Sequence, residues 1–146
     1  MTNSLSTCIL IIVIITDNKN KEVNLMRYSR QRELVTEVIK GRCDHPTADM
    51  IYNSCREIEP NISLGTVYRN LKQLSDEGVI ITLETVDKRV HYDGDTSRHS
   101  HFICEGCGKI IDLFKPAKTP DEISELGLTV SGEKCIYYGK CSDCAI

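Results

Sequence analysis

The chain has 146 residues, 27% of them charged and 5% aromatic, and a formal net charge of -3 at pH 7. This length allows one or two small domains. The slightly acidic balance excludes nucleic-acid binding through overall charge, so any such binding requires a local basic surface.

The first 25 residues differ from the rest of the chain. Their apolar run from Cys8 to Ile15 is too short to span a bilayer, and no Lys or Arg precedes it as a signal peptide requires. We therefore predict a cytoplasmic protein without membrane association. We interpret residues 1–25 as a non-native or disordered extension, with Met26 as the natural start, and the alternative for the apolar run is a buried strand.

Hydrophobic periodicity predicts two helices over the next 35 residues or so. The first runs from a cap at Ser29 to about Lys40 and stops at Gly41. The second is capped by Thr47 and ends at Pro60 and Asn61. Its inward face consists of Ala48, Ile51, Cys55 and in part Ile58.

A third helix, capped by Ser63 and ended by Gly78, has an outer face without acids until Asp76. Its inward residues are Val67, Leu71 and Leu74. Two short strands, Val79 to Glu84 and Arg89 to Tyr92, follow the helix and complete the pattern of a winged helix-turn-helix. The alternative is a solvated helix face. The outer side chains able to bind phosphates or base edges are Thr66, Tyr68, Arg69, Asn70, Lys72 and Gln73.

Four cysteines form two C-x-x-C pairs, Cys104 with Cys107 and Cys141 with Cys144. Two such pairs supply the tetrahedral sulfur site that Zn2+ prefers, whereas a reducing compartment disfavours the alternative of disulfides. We predict a structural zinc that stabilises the fold and catalyses nothing, because the protein fills all four positions. We interpret the remaining thiols as apolar fillers or incidental residues: Cys8, Cys43, Cys55 and Cys135.

A second group of possible ligands surrounds the first cysteine pair. His99 and His101 alternate, so on an extended strand both imidazoles point to one face. Asp93 and Asp112 flank them, and nitrogen with carboxylate oxygen suits divalent iron, manganese or zinc. We predict a second metal site here, although each histidine alone is also compatible with an ordinary core or surface position. Asp95 is a rival for Asp93, but spacing to His99 favours Asp93.

The chain resembles the ferric uptake regulator (Fur) family of bacterial metal-dependent repressors in four stretches, HPTADMIY, ISLGTVYRNLKQLSDEGVI, HSHFICEGCGKIID and YGKCSDC. The details look most like the peroxide-sensing (PerR) branch. The resemblance implies an α+β fold, with an N-terminal winged helix-turn-helix followed by a small α/β dimerisation domain that has a structural zinc site. The implied ranges are 26–94 for DNA binding, 95–98 for the hinge and 99–146 for dimerisation and metal binding.

The resemblance also implies a regulatory site for Fe2+ or Mn2+. Only the resemblance brings in His45, since a turn histidine before Pro46 would otherwise be favoured. Asp rather than Glu at position 112 looks like the peroxide sensors. The implied ligands are His45, Asp93, His99, His101 and Asp112.

The implied function is that of a metal-dependent, peroxide-responsive repressor. A homodimer would bind a near-palindromic operator in double-stranded DNA, and a metal held by both domains would fix the angle between them. Peroxide reduced at Fe2+ would oxidise His45 or His99 and release the operator, whereas Mn2+ would resist this chemistry. One alternative is an iron, manganese or zinc uptake regulator without peroxide sensing. The other, a metalloenzyme, lacks a separate general base or nucleophile, so we predict no enzyme activity.

Overall fold

The computed structural model describes residues 27–28, 30–115 and 120–145. Three predictions lie outside the described residues: the extension over residues 1–25, the start at Met26 and the cap at Ser29. Within the described ranges, no helix combines the length and the apolar character needed to cross a membrane.

Three helices form the N-terminal part of the chain: α1 over residues 30–40, with residues 27 and 28 also helical, α2 over Ala48–Ile58 and α3 over Leu64–Asp76. Each has an apolar stripe at helical spacing, so the three stripes can pack together away from water. The inward faces predicted for α2 and α3 are confirmed, except that Ile58 is 67% exposed because it lies at the end of α2 beyond the core. The core residues are Val35, Ile39, Ala48, Ile51, Cys55, Ile62, Val67, Leu71, Leu74, Ile80 and Tyr92.

The helix ends follow local chemistry at most of the predicted positions. The Ser63 side chain accepts a hydrogen bond from the Thr66 amide at 3.1 Å, which confirms this cap. Gly78, with φ 70°, ends the turn after α3 as predicted. The cap at Thr47 is only half right, because Thr47 occupies the N-cap position but its side chain makes no capping hydrogen bond.

Helix α2 ends at Ile58, just before the predicted stop at Pro60 and Asn61. Its C-cap is Glu59, with φ -124° and ψ 86°. A residue before a proline is pushed out of the helical region by the proline ring, so Pro60 ends the helix through Glu59. The same restriction fixes where the chain turns toward α3.

Two antiparallel strands follow the helices, β1 over Ile81–Glu84 and β2 over Val90–Asp93. They confirm the predicted wing, although β1 begins two residues later than predicted and β2 both begins and ends one residue later. The connecting turn closes with the Thr85 amide donating to the Arg89 carbonyl at 3.0 Å. The extra residue on β2 matters because Asp93 is thereby fixed in a strand opposite Ile81.

The C-terminal part is a three-stranded sheet with the order β4-β3-β5. Its strands are β3 over Ser100–Cys104, β4 over Ile110–Leu113 and β5 over Ile136–Gly139, and the short helix α4 over Asp121–Glu125 lies between β4 and β5 in the chain. Strand β3 pairs antiparallel with β4 and parallel with β5. A helical part followed by a mixed sheet confirms the predicted α+β class.

Gly94 brings the end of β2 against the end of α1. A Cβ atom at this position would lie 2.9 Å from the Lys40 Cα and 3.1 Å from the Ile39 carbonyl oxygen. Both are backbone atoms, which cannot move aside as the end of a side chain can. A larger residue at position 94 would therefore push the end of β2 away from α1. The close approach places Asp93 where the N-terminal part meets the C-terminal part.

Candidate metal centres and the outer face of helix α3

The four paired cysteines converge at one end of the C-terminal sheet. Cys104 is the last residue of β3, and the parallel ladder pairs it with Gly139 of β5, just before Cys141. One sulfur atom from each of Cys104, Cys107, Cys141 and Cys144 lies within 4.8 Å of the others. The Cys107 and Cys141 sulfurs are 3.7 Å apart, close to the ~3.8 Å that two Zn–S bonds of about 2.3 Å at a tetrahedral angle would give.

Backbone geometry holds this sulfur cluster together. The Cys141 amide donates to the Cys104 sulfur at 3.3 Å, and a Cβ on Gly106 would lie 3.0 Å from the Cys144 sulfur. Only a glycine therefore leaves room for the two knuckles to approach.

The sulfur cluster favours a divalent cation electrostatically. Backbone amide hydrogen bonds, first from Cys141, lower the pKa of the Cys104 thiol to about 6. In contrast, the neighbouring Cys141, Cys107 and Cys104 sulfurs raise the pKa of Cys144 to about 12. One thiolate is stabilised, whereas further negative charges on the neighbouring sulfurs repel each other. A divalent cation would neutralise that repulsion. The chain thus has a four-cysteine site that fits zinc.

A second cluster lies between the N-terminal and C-terminal parts. His45 is in the turn before α2 and Asp93 ends β2, whereas His99 precedes β3, His101 lies on it and Asp112 lies on β4. The ladder places His101 directly opposite Asp112. Ligating atoms of His45, Asp93, His101 and Asp112 lie within 4.8 Å of one another.

His99 joins the cluster through two of these residues. Its Nε2 atom lies 3.0 Å from the Nε2 of His101 and 3.1 Å from Oδ2 of Asp93. His101 Nε2 is 2.9 Å from the same Asp93 oxygen. Two ligands bound at right angles to one ion, each at about 2.1 Å, are about 3.0 Å apart. The structure thus brings all five predicted residues together, and Asp95 is not among them.

Two atoms of the cluster are buried without a hydrogen-bond partner, namely Nε2 of His45 and Oδ1 of Asp112. They lie 2.8 Å apart, within ion-pair range but not oriented for a hydrogen bond. Buried polar groups are normally satisfied, and each exception requires a physical reason. A divalent cation beside both atoms would bind both lone pairs, so this donor set fits a regulatory metal such as Fe2+ or Mn2+.

Contacts around the ligands fix their protonation and orientation. The Ser97 carbonyl lies 2.8 Å from Nδ1 of His99, so Nδ1 donates its proton and Nε2 is left as a ligand. Burial lowers the pKa of His99, but the Ser97 hydrogen bond and the Asp93 charge outweigh burial and raise it. Burial likewise raises the pKa of Asp93, but the hydrogen bonds from His101 and the Asp95 amide outweigh it and lower the pKa.

Two neighbours of the cluster were missed by sequence reasoning. Phe114 packs its ring against His99 with centroids 5.5 Å apart, and Nδ1 of His91 lies 2.6 Å from the His45 carbonyl oxygen. The alternation of His91 with Asp93 placed both on one strand face, but no spacing rule connects His91 with a turn 46 residues earlier in the chain.

The outer face of α3 differs from the prediction at one position. Tyr68, Arg69 and Lys72 are exposed and Thr66 and Gln73 are half-buried. Asn70 was predicted to contact DNA, but it is fully buried and donates to the Thr66 carbonyl at 2.9 Å. The prediction is wrong because position 70 shares the inward side of the helix with Val67, Leu71 and Leu74.

Aromatic and polar contacts hold the remaining outer side chains of α3. The Arg69 guanidinium lies 5.6 Å from the centroid of the Tyr28 ring, and the Tyr28 hydroxyl donates to Gln73 Oε1. The Thr66 hydroxyl is 2.9 Å from that of Ser63. This surface presents one guanidinium on an aromatic ring beside polar side chains, which is suited to binding phosphates or base edges.

Comparisons with known proteins agree with this architecture. Residues 23–134 match the model of the ferric uptake regulator family. The chain is 37% identical over 125 residues to the peroxide operon regulator of Bacillus subtilis, which covers 82% of this chain and 85% of the relative. It is 36% identical over 126 residues to the peroxide-responsive repressor PerR of Staphylococcus saprophyticus, with 83% and 84% covered.

Solved structures show the same fold. The Campylobacter jejuni peroxide stress regulator superposes with a TM-score of 0.74 and 29% identity, covering 86% of this chain and 97% of the other. The Helicobacter pylori ferric uptake regulator gives a TM-score of 0.65 and 24% identity, with 88% and 91% covered.

Proposed function

The chain belongs to the ferric uptake regulator family, and from this premise we propose that it is a metal-dependent, peroxide-responsive transcriptional repressor. The observation that carries the proposal is the convergence of three imidazoles and two carboxylates. Two of their atoms, Nε2 of His45 and Oδ1 of Asp112, are buried without a hydrogen-bond partner. These ligands come from both sides of the junction between β2 and β3. A metal bound by all of them would therefore link the orientation of α3 to the C-terminal sheet.

The ligands of the proposed regulatory metal are His45, Asp93, His99, His101 and Asp112. Binding and orientation are coupled because a metal that binds only the assembled cluster stabilises only that arrangement. Metal-free protein should consequently bind its operator more weakly. A zinc ion in the four-cysteine site would play no part in this switch. It would instead join β3 to residues 141–144.

Histidine oxidation is the proposed release step. Fe2+ in the regulatory site would reduce hydrogen peroxide and generate an oxidant beside the ligands, whereas Mn2+ would not supply this chemistry. We propose His45 and His99 as the residues oxidised. The His99 side chain is fully buried and that of His45 is 4% exposed, so an oxidant formed in the cluster meets these rings before it meets solvent. An added oxygen on either ring would weaken metal binding and free the operator.

The DNA partner is proposed from α3 together with the family. We propose that the DNA contacts are made by Thr66, Tyr68, Arg69 and Gln73. Asn70 is excluded because its side chain is buried. Family regulators act as DNA-binding dimers, and a homodimer with two copies of α3 would match two half-sites of a near-palindromic operator. The protein would then act in the cytoplasm as a regulator and not as an enzyme, since its own histidines are consumed in the reaction.

The test compares iron-loaded and manganese-loaded protein on a fluorescent operator fragment. Brief peroxide treatment should abolish DNA binding by the iron form and leave the manganese form bound. Mass spectrometry of the peptides containing His45 and His99 should show one added oxygen atom in the iron form only.

His45→Ala and His99→Ala variants with intact zinc serve as controls for the ligand assignment. If the iron form keeps both its operator and unmodified histidines after peroxide, the alternative applies, and the protein is an iron, manganese or zinc uptake regulator without peroxide sensing. If removal of the regulatory metal leaves DNA affinity unchanged, metal-dependent repression itself is wrong.

A further inference from the structure

His91 is the one histidine of the chain's four that does not supply a nitrogen to either metal cluster. It lies in β2, two residues before Asp93. Residues two apart on a strand point to the same face, and this face of β2 borders the turn that contains His45. The position of His91 therefore directs its ring at the backbone of that turn.

The ring of His91 makes a short contact with the backbone of a ligand. Its Nδ1 atom lies 2.6 Å from the His45 carbonyl oxygen, and His91 is only half-buried. A carbonyl oxygen can only accept a hydrogen bond, so Nδ1 must carry the proton. This contact therefore places a proton on Nδ1 of His91.

The His45 backbone has an unfavourable conformation that requires a stabilising contact. Its φ of 49° lies in the left-handed region, which residues with a side chain rarely adopt. Next to it, the Tyr92 amide donates to the Pro46 carbonyl at 3.0 Å, and Thr47 forms an isolated bridge with His91. Strand β2 thus holds three consecutive residues of the turn, and the His91 side chain makes the contact at His45 itself.

We propose that His91 is a positioning residue of the regulatory site, which sets the direction of the His45 imidazole through the His45 carbonyl. The inference rests on the proposed function, because it assumes that His45 is a ligand. Since β2 also ends in Asp93, one strand would place two ligands of the N-terminal part at once. Outer contacts of this kind typically change metal affinity by about 10- to 100-fold.

The proposal is tested with two variants at one position. His91→Leu removes the donor, and we expect Mn2+ affinity measured by calorimetry to fall about 10- to 100-fold. His91→Asn retains an N–H donor near the position of Nδ1 and should restore most of that affinity. Zinc content and thermal unfolding report on the fold in both variants, and a role in folding alone would not distinguish Asn from Leu.

A spectroscopic measurement on the wild-type protein needs no variant. Long-range proton–nitrogen correlation spectra of histidine-labelled, zinc-loaded protein without regulatory metal should show a proton on Nδ1 of His91. An Nδ1 atom without a proton would overturn the proposal. So would wild-type Mn2+ affinity in the Leu variant, or equal losses in the Leu and Asn variants.

His45→Ala separates this inference from the proposed function. If His45→Ala lowers Mn2+ affinity but neither His91 variant does, His45 is a ligand and the role of His91 is wrong. If His45→Ala also leaves the affinity unchanged, the ligand assignment on which the proposed function depends is wrong.

Discussion

Asp112 shows how one strand register determines the reach of a ligand. The β3–β4 ladder places it opposite His101, and its Oδ1 lies 2.8 Å from the His45 Nε2 and 3.5 Å from the His101 Nε2. The carboxylate is thus shared between ligands of the two parts of the chain. Its short side chain is part of this geometry, because the strand backbone cannot move without breaking the ladder.

Asp112→Glu tests the importance of that reach. The added methylene would push the carboxylate past its present position in a crowded, largely buried site. We expect a repressor that still binds Mn2+ and DNA, but whose iron form releases its operator about 10- to 100-fold more slowly after peroxide, since a misplacement of about 1 Å has effects of this size on reaction rates. Stopped-flow fluorescence of operator release would measure the rate.

Asp121→Glu is the matched control, because it makes the same chemical change at an exposed position in α4. An Asp112→Glu protein that responds to peroxide at the wild-type rate would show that the length of this carboxylate does not matter.

Sequence alone predicts these ligands unevenly. The alternation of His99 and His101 and the flanking Asp93 and Asp112 follow from residue spacing, because residues two apart in extended chain point to one face. His45 required the family resemblance, since its role depends on a tertiary contact between the turn before α2 and β2. The contacts of His91 and Phe114 depend on the same packing, and no local pattern encodes them.

At the scale of single elements, α3 combines a buried stripe with an exposed cationic surface. The helix begins at a confirmed Ser63 cap and buries Val67, Leu71 and Leu74. The side chains predicted on its outer face are exposed or half-buried, except that of Asn70. Polarity alone does not reveal that an amide can be buried when it donates a hydrogen bond to its own helix. Arg69 is the exposed cation of this face that we propose as a DNA contact.

Arg69→Ala should weaken operator binding by about 1–3 kcal/mol if the guanidinium contacts a base, and by less if it contacts only a phosphate. Fluorescence anisotropy against specific and scrambled DNA distinguishes the two cases. Arg56→Ala on α2 removes the same charge from an exposed site that stacks on Tyr52, and it should leave affinity unchanged. If Arg69→Ala and Arg56→Ala bind the operator with equal affinity, α3 is not the helix that contacts DNA.

The strands β3 and β5 form a second element pair, joined at one end by the sulfur cluster. Cys104→Ser should abolish zinc binding and unfold the C-terminal sheet. Structural zinc sites contribute roughly 10–16 kcal/mol in small domains, comparable with or larger than the roughly 5–15 kcal/mol stability of a typical domain. Zinc content by mass spectrometry and thermal unfolding would check this result.

Cys43→Ser provides the control for the loss of a thiol, because Cys43 is exposed and lies outside the cluster. A Cys104→Ser protein with normal unfolding and no zinc would show that the sheet is stable without metal.

At the scale of the whole molecule, the residues that the structure describes form two parts with few direct links besides the regulatory cluster. Lys134, close before β5, donates to the Thr82 carbonyl of the wing at 2.7 Å. This contact is exposed, so it contributes little against water and counter-ions. The cluster, in contrast, is buried and has ligands on both sides of the junction. Its occupancy should therefore control how firmly the two parts are held.

Hydrogen exchange detected by mass spectrometry can measure this coupling in zinc-loaded protein. Mn2+ at about 100 times its Kd should stabilise the assembled site by about 2.7 kcal/mol, which slows exchange through opening of the site about 100-fold. We expect the slowing in two separate segments, residues 42–48 of the N-terminal part and residues 99–104 of the C-terminal part, because ligands in both must release the metal together. His45→Ala should remove the protection from both segments. Protection confined to residues 99–104 would show that the metal binds one part only and does not join the two.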